Sequence, residues 1–133
     1  MKDKNLSKRF LRGLFDTDGN IYFNKNRSAK NPINNKPIIS LGTVSKNLSD
    51  QVFDLLTKLG YNPGRRKPYK GKRDKNFVHR ITIHRVNDIR KFIDEIGFKN
   101  TKHLTKWDVF KKLSYCIPHT TLNQRYEILR KVL

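Results

Sequence analysis

The chain has 133 residues, with 30 lysines and arginines against 11 acids, a formal charge of +19. That length suits one domain spanning residues 1–133, and the charge exceeds what solubility needs, so a poly-anion, nucleic acid first, is the expected partner. A membrane-spanning apolar run and a signal-peptide core are both missing from the sequence, and a lone Cys116 excludes an internal disulfide or a multi-cysteine zinc site.

Residues 1–5 read as a frayed start, and the first helix is expected over residues 6–16. Leu6, Phe10 and Leu14 recur at i, i+4 and i+8, and Leu11 and Phe15 form a second apolar row beside them. Gly13 costs helix stability unless another backbone must come close there. Asp16-Thr17-Asp18-Gly19 is expected to stop the helix in a tight acidic turn. A carboxylate there sits at the negative pole of the helix dipole, a cost that a divalent cation would reverse.

Strand one is expected over residues 20–26, a polar loop over 27–36 and strand two over 37–44. Ser45 to Asn47 cap a helix whose inner side is Leu48, Val52, Leu55, Leu56 and Leu59, closed by Gly60. Strands three and four are expected over 65–70 and 77–85, joined by the basic tip Gly71-Lys72-Arg73-Asp74. Pro68 places strand three at a sheet edge. A helix follows over 86–96, with Ile89, Phe92, Ile93 and Ile96 inward and Gly97 at its end. Asn100 or Thr101 caps another, with Leu104, Trp107, Phe110 and Leu113 on its apolar side. After Pro118, a terminal helix over 120–133 carries Leu122, Tyr126, Leu129 and Val132. The order describes an α+β unit with an antiparallel sheet. No internal repeat and no second Asp-x-Asp-Gly occur.

Strand periodicity divides the sheet into two faces. Ile21, Phe23, Phe77, Ile81 and Ile83 are expected to face the helices. Asn20, Tyr22, Asn24, Arg65, Lys67, Tyr69, Arg80, Thr82 and His84 are expected to face away. In strand two the outward set is Ile38, Ser40 and Gly42, although Ile39 and Leu41 are apolar too. Seven of the eleven residues from Arg65 to Lys75 are basic. The alternative for the run alone is a solvated hairpin tip. Joined to a polar sheet face and the overall charge, it reads as a surface for double-stranded DNA. Lys70, Lys72, Arg73 and Lys75 would hold phosphate, Arg65, Lys67 and Arg80 would read bases, and Lys25 flanks the same face. The four histidines lack the spacing of a histidine metal motif, and His79 falls on the apolar side.

The stretch from Leu11 to Gly19 resembles the motif of the LAGLIDADG homing endonucleases. Leu11, Gly13, Leu14, Asp16, Asp18 and Gly19 match, with departures at Arg12, Phe15 and Thr17. A calcium loop is the competing pattern, and it fails because Ile21 and Arg27 stand at its sixth and twelfth places. The resemblance implies an αββαββα half-domain with a saddle-shaped, four-stranded antiparallel sheet, plus C-terminal helices. It implies a single-motif chain that pairs as a homodimer, with Phe10, Gly13, Leu14 and Asp16 at the contact. Burial of both apolar rows within one chain is the alternative.

By the same resemblance, Asp18 is the metal-binding acid, helped by the carbonyl of Thr17, and Asp16 is structural. Lys102 matches the basic side chain that the family places beside the cleaved phosphate, and Ser45 is a weaker match to a polar pocket residue. The implied activity is site-specific cleavage of both strands of a long pseudo-palindromic target, with Mg²⁺ or Mn²⁺; Ca²⁺ is expected to support binding without cleavage. An RNA-binding intron maturase and an inactive DNA-binding protein of the same fold are the alternatives. The expected compartment is intracellular, with the host genome: a prokaryotic cytoplasm or an organelle.

Overall fold

A computed structural model describes residues 3–25, 34–73, 75–113, 116 and 120–131. In chain order the elements are α1 (Lys4–Asp18), β1 (Gly19–Lys25), β2 (Asn34–Thr43), α2 (Lys46–Lys58), β3 (Gly64–Arg65) and β4 (His79–Ile83). Then come α3 (Val86–Glu95), α4 (Thr101–Leu113) and α5 (Leu122–Lys131). This is the expected α+β order. The strands form one antiparallel sheet in the order β1-β2-β4-β3, which leaves β1 and β3 at its edges.

The first helix is longer than expected at both ends. It begins at Lys4 because the Asp3 carboxylate accepts from the amides of Asn5 and Leu6, an N-cap that replaces the anticipated fraying. At the other end no acidic turn forms. Asp16, Thr17 and Asp18 stay helical, and the chain passes directly into β1 at Gly19. A Cβ on Gly19 would lie 2.6 Å from the carbonyl oxygen of Phe15, so only glycine allows this abrupt change of direction.

One face of the sheet carries the core. Ile21, Ile39, Ile81 and Ile83 are fully buried beneath Leu11 and Phe15 of α1, Val52 and Leu56 of α2, and Ile89 and Phe92 of α3. Phe92 sits at the middle, edge-on to Phe15 at 5.0 Å and tilted against Phe98 at 5.4 Å. Truncating such a side chain to alanine costs about 3–5 kcal/mol. Ser45 caps α2 as expected by accepting from the Leu48 amide, and Gly60 follows that helix at φ +93°. Arg12 ties α1 to the end of α3 through the Ile96 carbonyl at 2.6 Å.

The two apolar rows of α1 have separate fates. Leu11 and Phe15 are core, whereas Phe10 and Leu14 are half-buried and Leu6 is 54% exposed. Gly13 is exposed, with nothing within 4 Å of the position a Cβ would take. One chain therefore does not bury both rows.

Several local expectations are corrected. Strand two starts earlier, at Asn34, while Asn26 and residues 27–33 of the anticipated loop lie outside the described residues. Strand three is only two residues long, because Pro68 cannot donate to a ladder; an isolated bridge, Tyr69 to Val78, continues the pairing. Phe77 lies outside β4 and is 56% exposed rather than inward. Helix α4 buries Trp107 as expected and half-buries Leu104, Phe110 and Leu113, but it also buries His103, Thr105 and Val109, because β1 covers one flank and α5 the other. In α5, Tyr126 is 39% exposed and Arg125 is buried instead, and Val132 lies outside the described residues. Cys116 is buried.

Candidate functional site

The last turn of α1 carries two carboxylates with different surroundings. Asp16 accepts from the Lys99 amide at 2.9 and 3.1 Å and from the Asn100 amide at 3.2 Å, while the Asn100 side chain donates to the Asp16 carbonyl. Asn100 also caps α4 by accepting from the Lys102 amide. Asp16 thus fastens the start of α4 to the end of α1, a structural task. Asp18 is exposed, and its carboxylate has no hydrogen-bond or ion-pair partner among the described residues. Thr17 donates its hydroxyl to the carbonyls of Gly13 and Leu14, and its own carbonyl belongs to the final turn, where the helical ladder runs out of amides.

That clasp also sets the lysines. Lys102 stands exposed in the first turn of α4, at the end that Asp16 holds. One turn further, Lys106 reaches the free edge of β1, where Nζ donates to the Asn20 Oδ1 at 3.2 Å and the Ile21 carbonyl at 3.3 Å. Phe110 stacks on Phe23 at 5.0 Å and keeps α4 against that strand. Burial, then Arg125, then Lys102 hold the Lys106 ammonium below the usual lysine range. Lys106 was not among the expected site residues; its i, i+4 spacing from Lys102 is the one signal for it in the sequence. Beneath both lysines, Arg125 bonds Thr105 Oγ1 at 2.8 Å and the Thr120 carbonyl, locking α5 to α4. Ser45 is exposed, but its hydroxyl is engaged in capping α2.

The outward face of the sheet follows from the register. Asn20 pairs with Ser40, Ser40 with Thr82 and Thr82 with Gly64, so these share one side; Gly42 and Arg80 lie on it as well. Asn20, Asn24, Lys25 and His84 are exposed there or beside it, and Tyr22 is half-buried. Two expected surface residues are covered. Ser40 is 2% exposed and accepts from Arg80 Nη1 at 2.8 Å, so it supports the guanidinium rather than presenting its own hydroxyl. Arg80 lies across Gly42, where a Cβ would come within 3.4 Å of it. Thr82 is 7% exposed; its hydroxyl and the His84 ring both lie close to Gly64, 2.9 and 3.4 Å from where a Cβ there would stand.

Arg65 is the main correction. It pairs with Ile81, a core residue, and therefore points to the helix side. There it bonds Asp50 at 2.6 Å and Ser49 at 3.3 Å, and its guanidinium lies 4.6 Å above the Phe53 ring. The next residue, Arg66, takes the outward place and donates its amide to the Arg80 carbonyl. Between Arg65 and Tyr69 the chain advances four residues while β4 advances three, from Ile81 to Val78. The extra residue restores Tyr69, 53% exposed, to the outward side. Lys67 falls within that irregular stretch and is exposed, as are Lys70, Lys72, Arg73 and Lys75 at the tip.

His103 is buried against Phe98, at 4.8 Å between rings, and burial lowers its pKa despite a backbone hydrogen bond with Asp16. His119 lies outside the described residues. Among the described residues no three His, Cys, Asp or Glu side chains gather around a common point, and no helix is long and apolar enough to cross a membrane. The oxygens at the end of α1 are a carboxylate and main-chain carbonyls, a hard donor set suited to Mg²⁺ or Ca²⁺ and not to thiophilic metals.

No curated protein sequence matches the chain. Solved structures do. The homing endonuclease I-CvuI, determined with the I-CreI target DNA in the presence of Mg, superposes with a TM-score of 0.57 at 12% identity. That match covers 97% of this chain and 96% of the other. A second I-CvuI structure was determined with its target in the presence of Ca. The archaeal intron-encoded homing endonuclease I-Vdi141I, complexed with DNA, matches at 0.54 and 11% identity over 98% of both chains. The LAGLIDADG meganuclease I-AabMI, bound to uncleaved DNA, matches at 0.55 and 16% identity; the match covers 93% of this chain and 39% of that longer one. These likenesses establish the LAGLIDADG homing-endonuclease fold. The family model described as a LAGLIDADG-like domain matches residues 5–97, well over half of the sequence, and the chain belongs to that family.

Proposed function

We propose that the protein is a site-specific, metal-dependent DNA endonuclease that cuts both strands as a homodimer. The observation that carries this reading is Asp18: an exposed carboxylate without a partner among the described residues, ending the helix from which a polar, strongly basic sheet face starts. A pure binder gains nothing from a bare acid directed at phosphate.

The outer row of α1 supplies a contact for the second copy. Leu6, Phe10 and Leu14 flank Gly13, whose missing side chain lets a symmetry-related helix come close. Pairing there brings the two Asp18 ends together, one for each strand of the duplex. Asp18 and the Thr17 carbonyl would hold a divalent cation together with phosphate oxygens, and that cation, when bound, supplies Lewis-acid stabilisation of the attacking and leaving oxygens. Lys102, placed by the Asp16 clasp, offers an ammonium to the charge that develops on the phosphate. Arg66, Tyr69, Arg80 and Asn20 meet the bases, while Lys70, Lys72, Arg73 and Lys75 bind the backbone. The protein would work wherever its host genome lies.

The test is Asp18→Asn with a duplex pool spanning candidate insertion sites and Mg²⁺. The variant should keep its DNA affinity while cleavage falls by about a thousandfold or more, since the interaction removed is worth several kcal/mol in the transition state. Undiminished cutting would remove Asp18 from the chemistry. Binding to structured RNA with no cleavage of any duplex would favour the maturase reading.

A further inference from the structure

Asn20 is the outward residue of the sheet nearest in sequence to Asp18, and its amide is not free to turn. An ammonium has hydrogens and no lone pair, so the atom that Lys106 holds at 3.2 Å must be the amide oxygen. The second bond of Lys106, to the Ile21 carbonyl, anchors that ammonium to the backbone of β1. No acid pairs with Lys106 among the described residues. The aromatic stack of Phe110 on Phe23 and the Arg125 clamp hold α4 in the position from which the lysine reaches the strand.

We propose that Lys106 is a positioning residue for target recognition: by holding the Asn20 oxygen it fixes which way the amide turns, offers the two amide hydrogens to the DNA and sets its own charge beside the oxygen's remaining lone pair. An asparagine that reads adenine needs both its oxygen and its nitrogen, to meet the N6 donor and the N7 acceptor. Here one lone pair of the oxygen is used by Lys106, and the positive charge beside the other repels the N6 amino hydrogens. Asn20 is thereby set to read an acceptor edge, guanine O6 and N7 or thymine O4, and to reject adenine. This inference rests on the DNA-binding reading above and adds which base edge is read, and through which residue.

The experiment selects duplexes from a randomised pool with the full chain in Ca²⁺ at fixed salt. It compares the wild type with Lys106→Met, which keeps the aliphatic stem, with Asn20→Ala, and with the double variant. The wild type should prefer guanine or thymine over adenine by about tenfold at one base pair of each half-site. Lys106→Met should bring that ratio within about twofold of unity or reverse it, with the other positions unchanged. In the Asn20→Ala background the lysine substitution should add nothing at that pair. A profile unaltered by Lys106→Met overturns the proposal, as does adenine preferred by the wild type at the pair that Asn20→Ala flattens. A loss spread evenly over all positions with a lowered melting temperature also overturns it, in favour of a merely structural lysine. A wild type that enriches no sequence refutes site-specific binding itself. A discrete site insensitive to Lys106 refutes only the role given to that residue.

Discussion

Two adjacent arginines offer a sharp trial of the sheet register. Arg65 lies on the helix side, over Phe53 and against Asp50, whereas Arg66 lies on the outward side. Arg65→Gln removes a cation–π contact worth about 0.5–1 kcal/mol at such an exposed site. The ion pair with Asp50 adds little, since both partners are solvated and screened by salt. For a chain of this size the melting temperature should fall by roughly 2–4 °C at fixed protein concentration. DNA affinity and its salt dependence should hardly change. Arg66→Gln should do the reverse. If Arg66 neutralises one phosphate in each of two protomers, the slope of log affinity against log salt becomes shallower by about 1.8, and by about half that for a monomer. Thermal melts and fluorescence anisotropy between 50 and 200 mM KCl, chosen as about the range where such slopes are steep, measure both quantities. If Arg65→Gln flattens the salt slope while Arg66→Gln lowers the melting temperature, the register is wrong, and with it the assignment of faces.

Other perturbations probe the remaining elements. Gly13→Ala meets open space within one chain, so it should strengthen the isolated helix by about 1 kcal/mol yet weaken self-association, as read by sedimentation. Unchanged association would remove the outer face of α1 as the dimer contact. His103 is buried with Nδ1 lacking a hydrogen-bond partner among the described residues, and its pKa is lowered chiefly by burial. The unfolded chain then binds a proton near pH 6.5 that the folded chain resists. Its contribution is therefore fully present above that pH and is lost as pH falls below it. Urea melts at about pH 7.5 and pH 5 should show the loss, and His103→Phe should reduce it; an equal drop in both proteins would exonerate the histidine.

Elements whose evidence is local are legible in the sequence alone. The apolar spacing of α2 and α3, the Ser45 cap and the glycines after those helices each depend on residues within a turn or two. The acidic end of α1 was only half legible. Asp-Thr-Asp-Gly suits a turn by composition, yet Asp16 to Asp18 stay helical and the chain turns straight into β1 at Gly19, where a Cβ would lie 2.6 Å from the Phe15 carbonyl oxygen. The face of Arg65 could not be read locally, because alternation fixes a side only once the register is known. That register is set by β4, and the irregularity at Lys67 and Pro68 reverses it midway, so a simple count by twos from Tyr69 reaches the wrong arginine.

Ser40 shows a different limit: its side of the sheet was deducible, but the guanidinium lying over it comes from a strand 40 residues away. The same separation hid Lys106. Its helix is placed by Asp16, 83 residues before Lys99, and only that clasp lets the lysine meet β1. Motif residues announce themselves through composition and spacing. The residues that orient them act through distant pairings, so a site of this kind is legible in its chemistry well before it is legible in its geometry.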